Sequence, residues 1–214
     1  MSLAPQLSAV YDNFQNNAPV QVKQTINGVN SDFEAAFQNQ STIKVGDKLP
    51  SFALSNALGK EVTSDELLKK GPLLISFYRG SWCPFCSLEL RSLQLNLDKF
   101  QEKGVTLVAI SPELPDTSLS TTEKNELKFP VLSDVGNKFA KELGIIFAMP
   151  DSLRPTFKAF GNDLLARNGD DSFEVPVPAT LLVDEKGIVR NAYINPHYWE
   201  RVEPSAVLEW IAAL

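Results

Sequence analysis

The sequence predicts one α/β domain, a mixed β-sheet flanked by helices, with a helical extension before it. Three observations carry this. From residue 44 onward, short apolar runs alternate with helix-length amphipathic segments. One run, 105–110 (Val-Thr-Leu-Val-Ala-Ile), is mostly apolar without alternation, the pattern of a strand covered on both faces. Near the end, two apolar runs meet at the tight turn Glu185-Lys186-Gly187 and a helical pattern follows.

Over 1–40, Leu3, Leu7, Val10 and Phe14 recur at helical spacing. So do Val22, Ile26, Val29, Phe33 and Phe37, after Pro19 as a start signal. Two amphipathic helices of this kind would cover part of the core or make a contact between two copies of the chain, a homodimer. The domain proper is expected over 41–214. Phe52-Ala53-Leu54 begins a strand that Gly59-Lys60 turns back toward Val62. Ser64 is expected to cap a short helix over 65–70, with acids first, lysines last and Gly71 as the stop. A buried strand over 73–78 leads into a helix over 87–100. Residues 121–128 read as a polar helix, 129–134 as a strand, and a short helix ends near Leu143-Gly144. Residues 151–174 interrupt the rhythm as an insertion near the active end, helical over 151–165. Strands over 178–184 and 188–193 and a helix over 204–214 close the chain.

Composition narrows the function classes. The 214 residues are 43% hydrophobic and 21% charged, which suits a globular domain with one well-buried core. A net charge of −6, with no basic cluster denser than Lys69-Lys70, argues against nucleic acid and anionic membranes as partners. No apolar run approaches a membrane span, and the first basic residue is Lys23, so no basic leader is read and a cytoplasmic protein is expected.

The chemistry is concentrated in the only two cysteines, Cys83-Pro84-Phe85-Cys86, placed where a strand gives way to a helix. A helix N-terminus offers unpaired N–H groups and a partial positive charge, and both favour a thiolate. Two thiols at this spacing can attack and resolve in turn. Cysteines are also often plain buried apolar residues, but independent placement seldom gives this spacing at such a junction. A structural zinc site wants four ligands, and the chain has one histidine, His197, and no second cysteine pair. No glycine-rich phosphate loop is present, so no metal, flavin or nucleotide cofactor is expected.

The string Phe77-Tyr78-Arg79-Gly80-Ser81-Trp82-Cys83-Pro84-Phe85-Cys86 resembles the active-site segment of the peroxiredoxin-like branch of the alkyl hydroperoxide reductase/thiol-specific antioxidant family. Segments 129–134 and 178–187 agree with it, so the resemblance covers about 44–214. It implies a thioredoxin-like fold. True peroxiredoxins are similar to Pro-x-x-x-Thr-x-x-Cys here, a register that sets Cys86 at the peroxidatic position, Cys83 at the threonine and Arg79 at the proline. The family's later arginine falls on Pro178. Trp82-Cys83-x-x-Cys86 is similar to the thioredoxin dithiol, and Pro178 stands where thioredoxins carry a cis-proline. The Val177–Pro178 bond is accordingly expected to be cis and to face the cysteines. Thioredoxin's buried acid has no counterpart on the strand reading Leu74-Ile75-Ser76.

The resemblance implies a thiol-dependent antioxidant oxidoreductase in which Cys83 and Cys86 reduce protein disulfides or hydroperoxides, with thioredoxin or glutathione restoring the dithiol. Two other readings stay open: a peroxidase proper with Cys86 peroxidatic and Cys83 resolving, and a non-catalytic redox-sensing interaction module. Cys83 is expected to be the more exposed, attacking thiol. Arg79 is either a thiolate-stabilising cation or a solvated loop residue. Trp82 and Phe85 are expected at an apolar rim, or Trp82 in simple packing. Glu89 and Arg91 are expected on the surface and His197 in a structural role. Arg201 and Glu203 could approach through the C-terminal loop, and Arg154 could supply a cation from the insertion.

Overall fold

The computed structural model describes residues 2–214; residue 1 of the expected extension lies outside it. The chain opens with α1 (Ala4–Asn17) and α2 (Val20–Phe37), separated where Ala18 turns extended ahead of Pro19. Strands β1 (Ala53–Asn56) and β2 (Glu61–Thr63) form a hairpin that runs into α3 (Ser64–Leu68). Thr63 caps α3 by accepting from the Glu66 N–H. The expected cap, Ser64, instead accepts from the Phe52 N–H with its own hydroxyl.

Strand β3 (Leu73–Phe77) is followed by α4 (Pro84–Gln94) and α5 (Leu97–Glu102), two helices where the sequence suggested one. Then come β4 (Thr106–Ser111), α6 (Pro115–Lys124), β5 (Val131–Ser133) and α7 (Lys138–Glu142). Proline in the first turn moves the start of α6 ahead of the expected 121. Strands β6 (Ile146–Ala148) and β7 (Glu174–Pro176), missed in the sequence, pair as a small separate ribbon. Between them the insertion holds a 3₁₀ turn (Asp151–Leu153), α8 (Arg154–Ala159) and α9 (Leu164–Asn168). The helical reading of 151–165 is thus broken, at Gly161 with φ +73°. Strands β8 (Ala179–Val183) and β9 (Val189–Ile194) and helix α10 (Pro204–Ala212) finish the chain.

The main sheet has seven strands in the order β2-β1-β5-β4-β3-β8-β9. Strands β3, β4 and β5 run parallel, and the flanking pairs are antiparallel, so the expected mixed sheet is present. Period-two alternation along β3 divides the core into two layers. Leu73, Ile75 and Phe77 pack on one face with Leu181 and Val183 of β8. Leu74 and Tyr78 pack on the other with both cysteines, α4 and α10. The helices α1 and α2 join these layers: Leu3 and Leu7 are buried beside α4, and the Phe33 ring lies 4.0 Å from that of Phe147. The carboxylate of Glu203 holds the start of α1 by accepting from the N–H groups of Leu3 (3.0 Å) and Ala4 (2.7 Å). Among the described residues no helix is long and apolar enough to cross a membrane.

Candidate active site

The loop between β3 and α4 delivers Cys83 and Cys86 to the C-terminal edge of the parallel strands. Gly80, at φ +149°, lets the chain turn there, and a side chain on it would run into the Trp82 indole. The turn is fixed by Glu113, which is fully buried. Its carboxylate accepts from the Ser81 N–H (2.9 Å) and hydroxyl (2.8 Å), and Arg167 donates to the same hydroxyl at 2.9 Å. Burial raises the Glu113 carboxyl above its ordinary range against these donors.

Cys83 is the N-cap of α4 and Pro84 its first residue, where a missing N–H costs nothing. Cys86 follows in the first turn, so the sulfurs stand 2.6 Å apart, with both thiols free. Both are buried, Cys83 at 1% exposure and Cys86 at 0%. The expectation of an exposed Cys83 is corrected: it is covered, and it lines a chamber of about 390 Å³ whose walls include Tyr11 and Phe14 of α1 and Phe157 of the insertion. The two thiols are electrostatically unequal. Burial opposes a thiolate on Cys83, but the Cys86 thiol and N–H and the guanidinium groups of Arg79 and Arg201 outweigh it, holding the thiol down to about 6. Burial and the neighbouring Cys83 charge push Cys86 well up, although the Arg201 Nη2 is only 3.5 Å from its sulfur.

Arg79 is 6% exposed, so it is no solvated loop residue. Its guanidinium lies 4.1 Å from the Tyr198 ring centroid and 4.8 Å from that of Trp82, which attracts the cation to both ring faces. Trp82 meets Phe157 edge-on, and Phe85 meets Tyr198 in the same way.

Sequence reasoning missed an ion pair beneath Cys86. Glu89, expected on the surface, is 1% exposed, and its Oε2 accepts from Arg201 Nε at 2.6 Å. Burial raises its carboxyl to about 7, helped by the Cys86 charge and opposed by Arg201. A helical signal existed, since Glu89 lies three residues after Cys86 on the same face of α4. Arg201, which the sequence allowed to approach through the C-terminal loop, does reach the site, 115 residues from Cys86 and held by the carbonyls of Tyr198 and Glu200, whereas Glu203 goes to the start of α1.

Other expected residues stand elsewhere. Arg154 binds Asp151 and Asp171, each at 2.7 Å, on the exposed side of the insertion. His197 stacks on Trp199 and contacts Glu34 and Glu200. Pro178 is buried just before β8, but the Val177–Pro178 bond is trans, and Pro178 does not line the chamber at Cys83. The cis expectation is therefore corrected: β8 pairs regularly with β3 from Ala179 onward and leads in from β7 through a trans link. Among the described residues no group of three or more metal-ligating side chains occurs.

The AhpC/TSA family model matches residues 45–192, more than half of the chain and all of the loop and helix bearing the cysteines. The chain belongs to that family. It is 33% identical over 105 residues to a putative peroxiredoxin bcp of Buchnera aphidicola, covering 49% of this chain and 66% of that protein. It is 28% identical over 115 residues to the thiol-disulfide oxidoreductase ResA of Bacillus cereus, covering 53% and 65%. The chain thus spans just under two thirds of the length of these relatives. The fold matches that of the peroxidoxin BcpB of Mycobacterium tuberculosis with a TM-score of 0.62 and 20% identity, over 80% of this chain and 98% of that one. The family match leaves out α1, α2 and Arg201.

Proposed function

We propose that this member of the AhpC/TSA family is a thiol-dependent antioxidant oxidoreductase that works through a Cys83–Cys86 dithiol/disulfide couple. The observation that carries the reading is the unequal sulfur pair at the start of α4: one thiol held down and open to a chamber, the other held up and 2.6 Å away. The Cys83 thiolate attacks the oxidised sulfur or oxygen of a substrate, and Cys86 then displaces the product to close the disulfide. Arg79 stabilises the thiolate, and Trp82 forms the wall beside it. Arg201 draws charge toward the Cys86 sulfur as that thiol loses its proton, and Glu89 sits next to Arg201 to take part in the transfer.

Substrates of this chemistry are hydroperoxides or protein disulfides, and a small dithiol protein of the thioredoxin type or glutathione would restore the reduced pair. Such a cycle suits a reducing compartment such as the cytoplasm. Residues 1–40 would serve as an extension to a redox domain over 41–214. A second reading, Cys86 as the first attacker on peroxide, is favoured by the family register and by Arg201 beside its sulfur.

The test is stopped-flow oxidation of the reduced protein by hydrogen peroxide and an organic hydroperoxide, beside reduction of insulin disulfides, in wild type, Cys83→Ser and Cys86→Ser. Loss of oxidant consumption in Cys83→Ser, with one slow turnover left in Cys86→Ser, is expected. The reverse assignment would transfer attack to Cys86, and no reaction with any oxidant would end the reading.

A further inference from the structure

Residues 195–203, between β9 and α10, form neither helix nor strand, yet they carry two of the groups that surround the dithiol. The Tyr198 ring lies 4.1 Å from the Arg79 guanidinium and meets Phe85 of α4 edge-on. Arg201 stands 3.5 Å from the Cys86 sulfur and 2.6 Å from the Glu89 carboxylate. A segment without ladder or helical hydrogen bonds opens easily unless its side chains anchor it. The remaining large side chains of this segment meet α1 and α2. Trp199 stacks on Tyr11 of α1, with ring centroids 4.9 Å apart. His197 stacks on Trp199, and its Nε2 lies 3.1 Å from the Glu34 carboxylate of α2. Glu203 accepts from the N–H groups that open α1. Within the segment Tyr198 and Trp199 meet edge-on, and Arg201 donates to the carbonyls of Tyr198 and Glu200, so both sets of contacts belong to one packed unit. The helices and the segment alike lie outside the family match over 45–192.

We infer that Tyr11 of α1 and Glu34 of α2 are positioning residues for the dithiol: through Trp199 and His197 they anchor residues 195–203, and so keep Arg201 beside Cys86 and Tyr198 on Arg79. The inference rests on the dithiol reading above and gives α1 and α2 a part in it. Burial opposes the Cys83 thiolate, while Cys86, Arg79 and Arg201 favour it. Arg79 belongs to the loop after β3 and lies four residues from Cys83 in the chain. Arg201 comes only with the segment. Once the anchor is released, Arg201 gains distance from the sulfurs and contact with water, and its attraction for the thiolate falls with both. The Cys83 thiol then rises. Glu89, left buried without its cation, takes up a proton instead of replacing the lost charge. A direct action of Glu34 has the opposite sign: its carboxylate is negative, so removing it through space alone would favour the thiolate.

The experiment follows the iodoacetamide labelling rate of Cys83 against pH in the reduced full chain, as wild type, Tyr11→Ala, Tyr11→Phe, Glu34→Ala and Trp199→Ala. The midpoint is expected to rise by about half a pH unit in the three alanine variants, which slows labelling about threefold at about pH 5.5. Tyr11→Phe keeps the stacked ring and is expected to restore the wild-type midpoint. Tyr11→Ala and Trp199→Ala combined are expected to shift it no further than either alone, because they break one contact. Mere cover over the sulfur would change the rate equally at every pH and leave the midpoint in place. The Glu34 side chain is 46% exposed, so Glu34→Ala gives the answer without disturbing a buried ring. An unmoved or lowered midpoint in Glu34→Ala, an unmoved one in Tyr11→Ala, an equal rise in Tyr11→Phe, or additive shifts in the double variant each overturns the inference. A low wild-type midpoint that no variant moves removes the inference alone; a wild-type midpoint at the ordinary thiol value removes the unequal sulfur pair on which the dithiol reading stands, and the inference with it.

Discussion

Replacing Arg79 by methionine removes one of the two cations that favour the Cys83 thiolate while roughly filling the slot between Trp82 and Tyr198. In the native protein the thiol is held near 6 against an ordinary value of 9.0, despite burial. That difference of about three pH units corresponds to about 4 kcal/mol in favour of the thiolate. It is the sum of the Cys86 hydrogen bonds, Arg79 and Arg201, less the burial cost, so losing Arg79 should raise the midpoint by about one pH unit. The assay is the iodoacetamide labelling rate of Cys83 against pH with and without Arg79→Met, keeping Cys86 in place because its hydrogen bonds help to hold Cys83 down and its own thiol is held well up. At about pH 5.5 the thiolate fraction falls from about a quarter to a few per cent, so labelling slows by about eightfold, whereas above about pH 8.5 the two rates converge. A midpoint that does not move, or a loss of rate equal at every pH, would refute the electrostatic role of Arg79.

Two further outcomes follow from the same structure. Because burial holds the Glu89 carboxyl up to about 7, the folded protein binds that proton more tightly than the unfolded chain does. Its contribution to stability is present below about pH 4.5 and is lost, on the order of 3 kcal/mol, as pH rises through about 7. Urea unfolding of wild type and Glu89→Gln should show their stability difference shrinking by that order from acid to neutral pH; parallel curves would place the proton elsewhere. Gly80→Ala forces a side chain into a left-handed backbone and against the Trp82 indole. A lower Tm, of about 1–3 kcal/mol in stability, with a changed Trp emission is expected, and an unaltered Tm would show that the loop tolerates other shapes.

Much of the fold was legible because local patterns report it. The unbroken apolar runs at 73–78 and 105–110 became the central parallel strands β3 and β4, and the Glu185-Lys186-Gly187 turn became the β8–β9 hairpin. The cysteine pair was legible for the same reason, since its spacing and its strand–helix junction lie within four residues. What failed was non-local. Strands β6 and β7 are three residues each and pair across the whole insertion, too short and too distant for periodicity to reveal. Glu89 carries a charge yet lies on the buried stripe of α4 with Cys86 and Leu90, because its partner Arg201 arrives from the far end of the chain. The cis-proline was borrowed from a resemblance in register, and the backbone around Val177 does not adopt it.

The central claim is that Cys83 attacks and Cys86 resolves within one chain. It is tested most directly by mass spectrometry of the reduced protein after one equivalent of cumene hydroperoxide, with iodoacetamide counting the remaining thiols. The account predicts a loss of about two daltons and no labelled thiol in the wild type, reversed by dithiothreitol, and a trappable sulfenic acid on Cys83 in Cys86→Ser. A wild-type protein whose two thiols both still label, or a sulfenic acid that forms on Cys86 in Cys83→Ser and never on Cys83 in Cys86→Ser, would contradict it.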